Sequence, residues 1–476
     1  MDAAFAQHYE QYGLSNNGFL PSRLPLARLP SPYYAPWEAI IANLPELLRN
    51  GQLRTRVRDL DVLSTSGLTT EPAWRRAYVV LAFLTHAYIW GDDPVADVLP
   101  PCISVPFLAV SSHLELPPVA TYAALNLWNF TTVDGDGNND ETRTEEKTPF
   151  DNLNRLQALH TFTGTASESW FYVVSVAMEC RAAAILPVLL GAIEAAAHNK
   201  NNKTNENNKN NLATVTAALR QFVACIHEVG VLLDRMHERC DPSVFFFQIR
   251  PFLAGSKHMA AQGLPNGVFY DEGAGRGAWR QLRGGSNGQS SLLQFFDIAL
   301  GVEHTSDGRH SRGAPKTEEQ GFHEEVRGYM PGSHRRFLEH VAALPSLREF
   351  VLLHSQSQGG EAASEDDREM AAAFAEATKA LAAFRNKHLS IVTRYIIIPS
   401  RQKQAAQAAQ AAKASKDAPE QAFMSKLRGL AHVSTHKDAA EMLTGTGGTE
   451  LLPFLKQTRD ETLHAGVFAS APATNK

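Results

Sequence analysis

EMAAAFAEATKALAAFRNKHLSIVTRYIII, residues 369–398, is the stretch that decides the fold. Met370, Phe374, Ala377, Leu381, Phe384, His388, Ile391, Tyr395 and Ile398 recur at alternating spacings of four and three. That spacing puts them on one face of a single helix, the face that packs inward. His388 occupies a place in this stripe that otherwise takes apolar residues. Two readings follow from the pattern: a buried histidine bonded to a neighbouring carbonyl, or a ligand to a metal or haem iron, since imidazole is the commonest metal ligand. Pro399 is expected to stop the helix, because it lacks an N–H and its ring clashes with the preceding turn.

The same helical signal recurs on both sides. Residues 77–90, 169–197, 212–236 and 291–302 are apolar-rich with few Gly or Pro, and clean period-2 alternation is rare. The Pro-rich opening, 21–36, should be extended. The chain is therefore expected to be all-α with few strands. Four segments interrupt it: acidic, Gly/Asn-rich 134–148, Asn/Lys-rich 199–211, Gly/Ser/Glu-rich 356–367 and Ala/Gln/Lys-rich 401–421. Such compositions bury too little apolar surface to offset chain entropy, although the last suits a loose helix as well as a loop. The first is the best candidate boundary. It divides a smaller, mainly helical N-terminal domain, 1–150, from a large helical domain, 151–476. No internal repeat is visible.

With 476 residues, 44% of them hydrophobic and 20% charged, the chain can bury a sizeable core. Lys and Arg number 45 against 50 Asp and Glu, a net charge of −5. That balance argues against a nucleic-acid binder or a polybasic membrane-surface protein. Four cysteines (Cys102, Cys180, Cys225, Cys240) form no C-x-x-C pair and are too few for a disulfide scaffold. The opening residues contain no apolar h-region, so no secretory signal is expected. The most apolar run, 182–197, contains Pro187 and Glu194 and suits a buried helix better than a membrane span. A cytoplasmic location is expected, and the sequons at Asn129 and Asn202 then carry no weight.

Other residues stand out singly. Phe171, Val174, Ser175 and Met178 share a helix face. Ser175 there either bonds the carbonyl four residues back or faces a ligand. Arg250 sits among aromatics in VFFFQIRPFLAGSK, 244–257. A guanidinium in apolar surroundings needs a carboxylate, either an acidic side chain or a bidentate ligand. Gly284–Gly288 fits G-x-S-x-G, yet residues 278–283 make a poor central strand. A Gly-rich loop feeding a helix capped by Ser290 or Ser291 is the better reading. Gly445–Thr449 lacks the lysine of a P-loop, and His432 and His436 lack the rest of H-E-x-x-H.

Taken together, these blocks resemble the indoleamine 2,3-dioxygenase family. Residues 385–399 resemble its proximal-histidine helix. GQLRTRV from Gly51, AYIWG from Ala87, LPPVATY from Leu116, FYVVS from Phe171, IRPFLAG from Ile249, GGSNGQSS from Gly284, and GTGGT from Gly445 followed by Phe454-Leu-Lys occur in the family's order. The low-complexity tracts fall outside the resemblance and look like insertions. Asn287 stands where a small residue is usual, and Ala254 where a serine can occur.

The resemblance implies a haem b enzyme, active as the ferrous form, that opens the indole C2–C3 bond of L-tryptophan or a related indoleamine with O2 to give N-formylkynurenine. It implies His388 as the proximal iron ligand, with the sixth position left open. It further implies Arg250 as the clamp for the substrate carboxylate, and Tyr122, Phe171, Phe245, Phe246 and Ser175 around the indole. Thr446 would lie on a loop that closes over the substrate, Arg385 near a haem propionate with Asp297 as its carboxylate partner, and Ser286 beside the haem edge. The matched distal positions offer no histidine or carboxylate, so the expected chemistry relies on position and a dry site rather than acid–base cleavage. A monomer is the family default. A haem-binding sensor with little turnover would also keep His388, but it has no need of Arg250 and Thr446. A helical scaffold without haem would lack a Soret band.

Overall fold

The structure is a computed structural model that describes residues 8–133, 150, 152–199, 205–304, 322–355, 363–414 and 451–467. Its long helices are α1 (Ala35–Ala42), α2 (Glu71–Trp90), α3 (Pro101–Leu114), α4 (Ala166–Ala182), α5 (Ile185–Asn199), α6 (Asn205–Asp234), α7 (Ser291–Ala299), α8 (Gly332–Ala342), α9 (Leu347–Ser355), α10 (Glu365–Val392), α11 (Ile398–Ala414) and α12 (Leu451–Ala465). The strands are short. β1 (Val98–Leu99) pairs in parallel with β4 (Val268–Gly273), which forms a hairpin with β5 (Arg276–Arg280). β2 (Phe130–Thr132) pairs antiparallel with β3 (Leu156–Ala158). The all-α expectation holds, with these strands as trimmings.

Helix α10 starts at a capping box in which the Ser364 hydroxyl accepts from Asp367 N and the Asp367 carboxylate accepts from Ser364 N. Glu365, Asp366 and Asp367 fill its first turn, where the helix dipole favours negative charge. Met370, Phe374, Ala377, Leu381 and Phe384 are buried along one face, as the stripe requires. The expectation that Pro399 ends this helix is wrong. A π-helical turn, Thr393–Ile397, is inserted, and the chain then continues as α11 with Pro399 as its second residue. The clash Pro399 would make with the Tyr395 carbonyl four residues back falls in the wider turn, and a proline this early in a new helix forfeits no required hydrogen bond.

Pro187 acts differently. The apolar run 169–197 is two helices, α4 and α5, bent by 43°. The break at residues 183–184 lies where the Pro187 ring would meet a helical carbonyl.

Two apolar clusters hold the fold. One gathers α1, α2, α3 and much of α4 with residues 232–270, and so runs through residues on both sides of position 150. The other gathers α5 to α10, with α6 lying along α10. The helical stretch Lys209–Arg239, most of it α6, is long and apolar enough to cross a membrane, but half of its apolar 18-residue segment is buried inside the protein.

Candidate active site

Where the two clusters meet, one cavity collects residues from across the chain. Its lining includes Tyr122, Phe171, Phe245, Arg250, Ser286, Asp297, Arg385 and His388. The sequence expectations thus converge on a single place. Ser175 and Phe246 stand just behind the lining: Ser175 is close enough to act on the Tyr122 hydroxyl, and Phe246 packs 5.7 Å from the Arg250 guanidinium. Thr446 lies outside the described residues, as do the Gly445–Thr449 loop, His432 and His436.

His388 reaches the cavity one helical turn after Phe384. Among the described residues, neither of its ring nitrogens makes a hydrogen bond, so the carbonyl-bonded reading fails. The surface it retains faces the cavity rather than bulk water. Burial, reinforced by the Arg385 charge one turn before it, pushes its pKa down to about 4. The side chain is therefore a neutral imidazole with its lone pair available, the form a metal requires of histidine.

Opposite apolar walls surround it. Phe171 lies 4.8 Å from Phe245, and Phe245 stands edge-on to Tyr395 at 5.8 Å. Phe245 begins a π-helical turn, Phe245–Ile249, that delivers Arg250 to the cavity. Arg250 is 1% exposed, and burial pushes its pKa down to about 10, so it stays charged at neutral pH.

The loop 284–290 forms another wall. Gly284 and Gly285 are there for close approach: a Cβ on Gly284 would meet the Leu253 carbonyl oxygen at 2.0 Å, and one on Gly285 would meet Leu125 at 2.5 Å. Ser286 is an ordinary cap, accepting from Gly288 N in a short 3-10 turn. No strand delivers it as a nucleophile elbow would. Ser290 caps α7 by accepting from Leu293 N. Asn287 lines the cavity, whereas Ala254 is buried and uses its carbonyl to accept from the Trp90 indole at 3.0 Å.

At one edge of the cavity, Arg385 Nη2 donates to both oxygens of Asp297 at 2.7 Å. Its Nη1 donates to Thr462 on α12. Two histidines join this pair. His304 Nε2 lies 3.1 Å from Asp297, its Nδ1 is 2.8 Å from Glu461, and its ring stacks on His323 at 4.1 Å. Burial works to raise the Asp297 pKa, but Arg385 and His304 outweigh it and hold the carboxyl well below the usual range. These histidines match no motif in the sequence, and the Glu461 partner of His304 lies 157 residues away.

The network yields one expectation. Asp297→Asn strands a half-buried guanidinium, which should cost about 3 kcal/mol, read as a lower thermal midpoint at neutral pH. A carboxyl with a depressed pKa stabilises the fold above its unfolded value of about 4 and loses that contribution as pH falls. The acid limb of unfolding should therefore be shallower in Asp297→Asn than in the native protein.

The family model for indoleamine 2,3-dioxygenase matches residues 8–465. The chain belongs to the indoleamine 2,3-dioxygenase family. It is 38% identical over 460 residues to an indoleamine 2,3-dioxygenase of Aspergillus nanangensis, covering 96% of each chain. It is 39% identical to the Saccharomyces cerevisiae indoleamine 2,3-dioxygenase over 95% of this chain and 92% of that one. A 6-hydroxytryptophan 2,3-dioxygenase of Fusarium equiseti is 35% identical over 96% and 97%. The protein is thus an oxidoreductase of a haem-dependent dioxygenase family. The residues at the cavity fit such a group: a neutral imidazole without a hydrogen-bond partner faces apolar walls, with a cationic side chain at the rim.

Proposed function

We propose that this indoleamine 2,3-dioxygenase family member opens the indole C2–C3 bond of L-tryptophan with O2, giving N-formylkynurenine, and that His388 holds the iron of haem b while doing so. The observation that carries this is the neutral, unbonded imidazole of His388 in the same cavity as Arg250, Phe171 and Phe245. Bound haem would supply the activation of O2. Arg385 and Ser286 are the side chains placed to meet its polar edge.

The protein's own part is position and dryness. Arg250 takes the substrate carboxylate, and its burial strengthens a charge-assisted contact. Phe171 and Phe245 pack the indole faces, with Tyr122 on the same cavity wall. Thr446 is assigned to the loop that covers the amino-acid end of the substrate. The apolar lining excludes water, so the indole carbon meets O2 without competing proton chemistry. Action as a monomer is part of the same reading.

The name of the Fusarium relative favours one alternative, a hydroxylated indole ring as the preferred substrate. The test is anaerobic reduction of the haem-loaded protein, addition of tryptophan and then O2, with N-formylkynurenine absorbance followed in time. Steady turnover is expected. Haem binding without product from tryptophan or 6-hydroxytryptophan would leave a haem-binding protein rather than this enzyme.

A further inference from the structure

Behind the Tyr122 wall lies a carboxyl that the scheme above leaves unused. Glu179 is on α4, one turn beyond Ser175, and is 2% exposed. Its Oε1 accepts from the Tyr122 hydroxyl at 2.9 Å and from the Ser290 hydroxyl at 2.8 Å. Its Oε2 is buried without a hydrogen-bond partner. A dry, unsatisfied carboxylate oxygen is costly, and it costs less as the carbonyl oxygen of a neutral acid whose proton sits on Oε1, where hydroxyl partners are within reach. Burial accordingly pushes the Glu179 carboxyl up to about 7, against the opposing effect of its two hydroxyl donors.

The groups that face Glu179 are few. Tyr122 approaches from the segment after α3, and Ser290 from the cap of α7. On the neighbouring α6, Glu228 is engaged at 3.7 Å by Arg181 in a largely exposed pair. Tyr122 is pinned from a second side, its backbone N donating to Gln289 Oε1 at 2.9 Å. The phenol is therefore fixed in place, and only the direction of its single O–H is free to change.

We propose that Glu179 is a positioning residue whose charge state decides whether the Tyr122 hydroxyl donates its proton behind the wall or into the cavity. With Glu179 ionised, Tyr122 donates to Oε1, and the phenol oxygen offers the cavity only lone pairs. It then accepts from a ligand N–H or ammonium. With Glu179 protonated on Oε1, that O–H donates to the phenol oxygen, and the Tyr122 O–H is released to an acceptor on the ligand. No covalent bond beyond the carboxyl's own titration changes. The proposal rests on the cavity being the substrate site and adds a control on which polar ligand groups are preferred there.

Infrared difference spectroscopy of native protein against Glu179→Gln tests it without substrate. The native protein should show a protonated-carboxyl band that fades as pH rises through neutrality and is missing in Glu179→Gln. Tyr122→Phe removes one donor to Oε1, so the band should persist at a shifted frequency. In turnover, KM for L-tryptophan should change about 2- to 10-fold across the same pH interval, one neutral hydrogen bond's worth, and become flat in both variants. A band that does not titrate near neutrality, one that Tyr122→Phe leaves unmoved, or a native KM profile kept in Glu179→Gln would overturn the proposal. If tryptophan is not turned over at all, the infrared arm still decides the matter. Should Glu179→Gln fail to fold, Tyr122→Phe carries both measurements.

Discussion

His388→Ala is expected to purify without stoichiometric haem. Losing an outer-shell partner of a metal ligand costs roughly 10- to 100-fold in affinity, and losing the ligand itself should cost more. The stripe on α10 gives the substitution a clean interpretation. His388 makes no hydrogen bond among the described residues, so its removal breaks none, and the apoprotein should keep its helical content and fold. Soluble imidazole, which fits the space left by the side chain, should restore part of the haem binding. Two other histidines on apolar helices are poor substitutes as ligands. His86 uses both ring nitrogens, one within 2.6 Å of the Phe252 carbonyl and the other accepting from Ala120 N at 3.0 Å. His227 is exposed to solvent. A His388→Ala protein with native haem content and a native ferrous–CO spectrum would place the ligand elsewhere and end the assignment.

That helix also shows how far the sequence could be read. The stripe from Met370 to Tyr395 was legible because one face of a long helix places seven apolar or aromatic side chains at helical spacing, and the anomaly at His388 is visible only against that repetition. Pro399 was misread because a proline's effect depends on the turn before it, and a π-helical turn leaves no mark in apolar spacing. The break before Pro187 obeyed the same steric rule and was missed because the apolar run continued through it. The hairpin β4–β5 escaped a search for alternation: Ala274 and Gly275 make its turn at positive φ, and β5 is largely exposed, so its pattern is weak.

Around the cavity, residues that sit in local motifs can be picked out of the sequence, and those assembled by tertiary contact cannot. Arg250 announced itself by its aromatic neighbours and the proline after it. Glu461 meets His304, and Thr462 meets Arg385, only because α12 folds back along α10. Glu179 reads in sequence as one more charge on a helix. Its burial, and the orphaned oxygen that follows from it, exist only in the packed structure.

Arg250 supports the most discriminating expectation about substrate. Arg250→Ala should leave haem content nearly native while raising KM for tryptophan steeply. Loss of a charge-assisted contact in a dry pocket costs roughly 2–3 kcal/mol, or about 30- to 150-fold in kcat/KM. Arg250→Lys should recover only part of this, because an ammonium cannot reproduce a planar fork. Tryptamine, which lacks the carboxylate, should show little change between native protein and Arg250→Ala. The competing role is internal: the guanidinium is 1% exposed and packs near Phe246, so it also fills space in the core. If that were its main function, Arg250→Ala would lower thermal stability and haem content together, and tryptophan and tryptamine would suffer alike. The ratio of the two losses therefore separates a carboxylate clamp from a structural arginine, and equal losses on both substrates would sink the clamp.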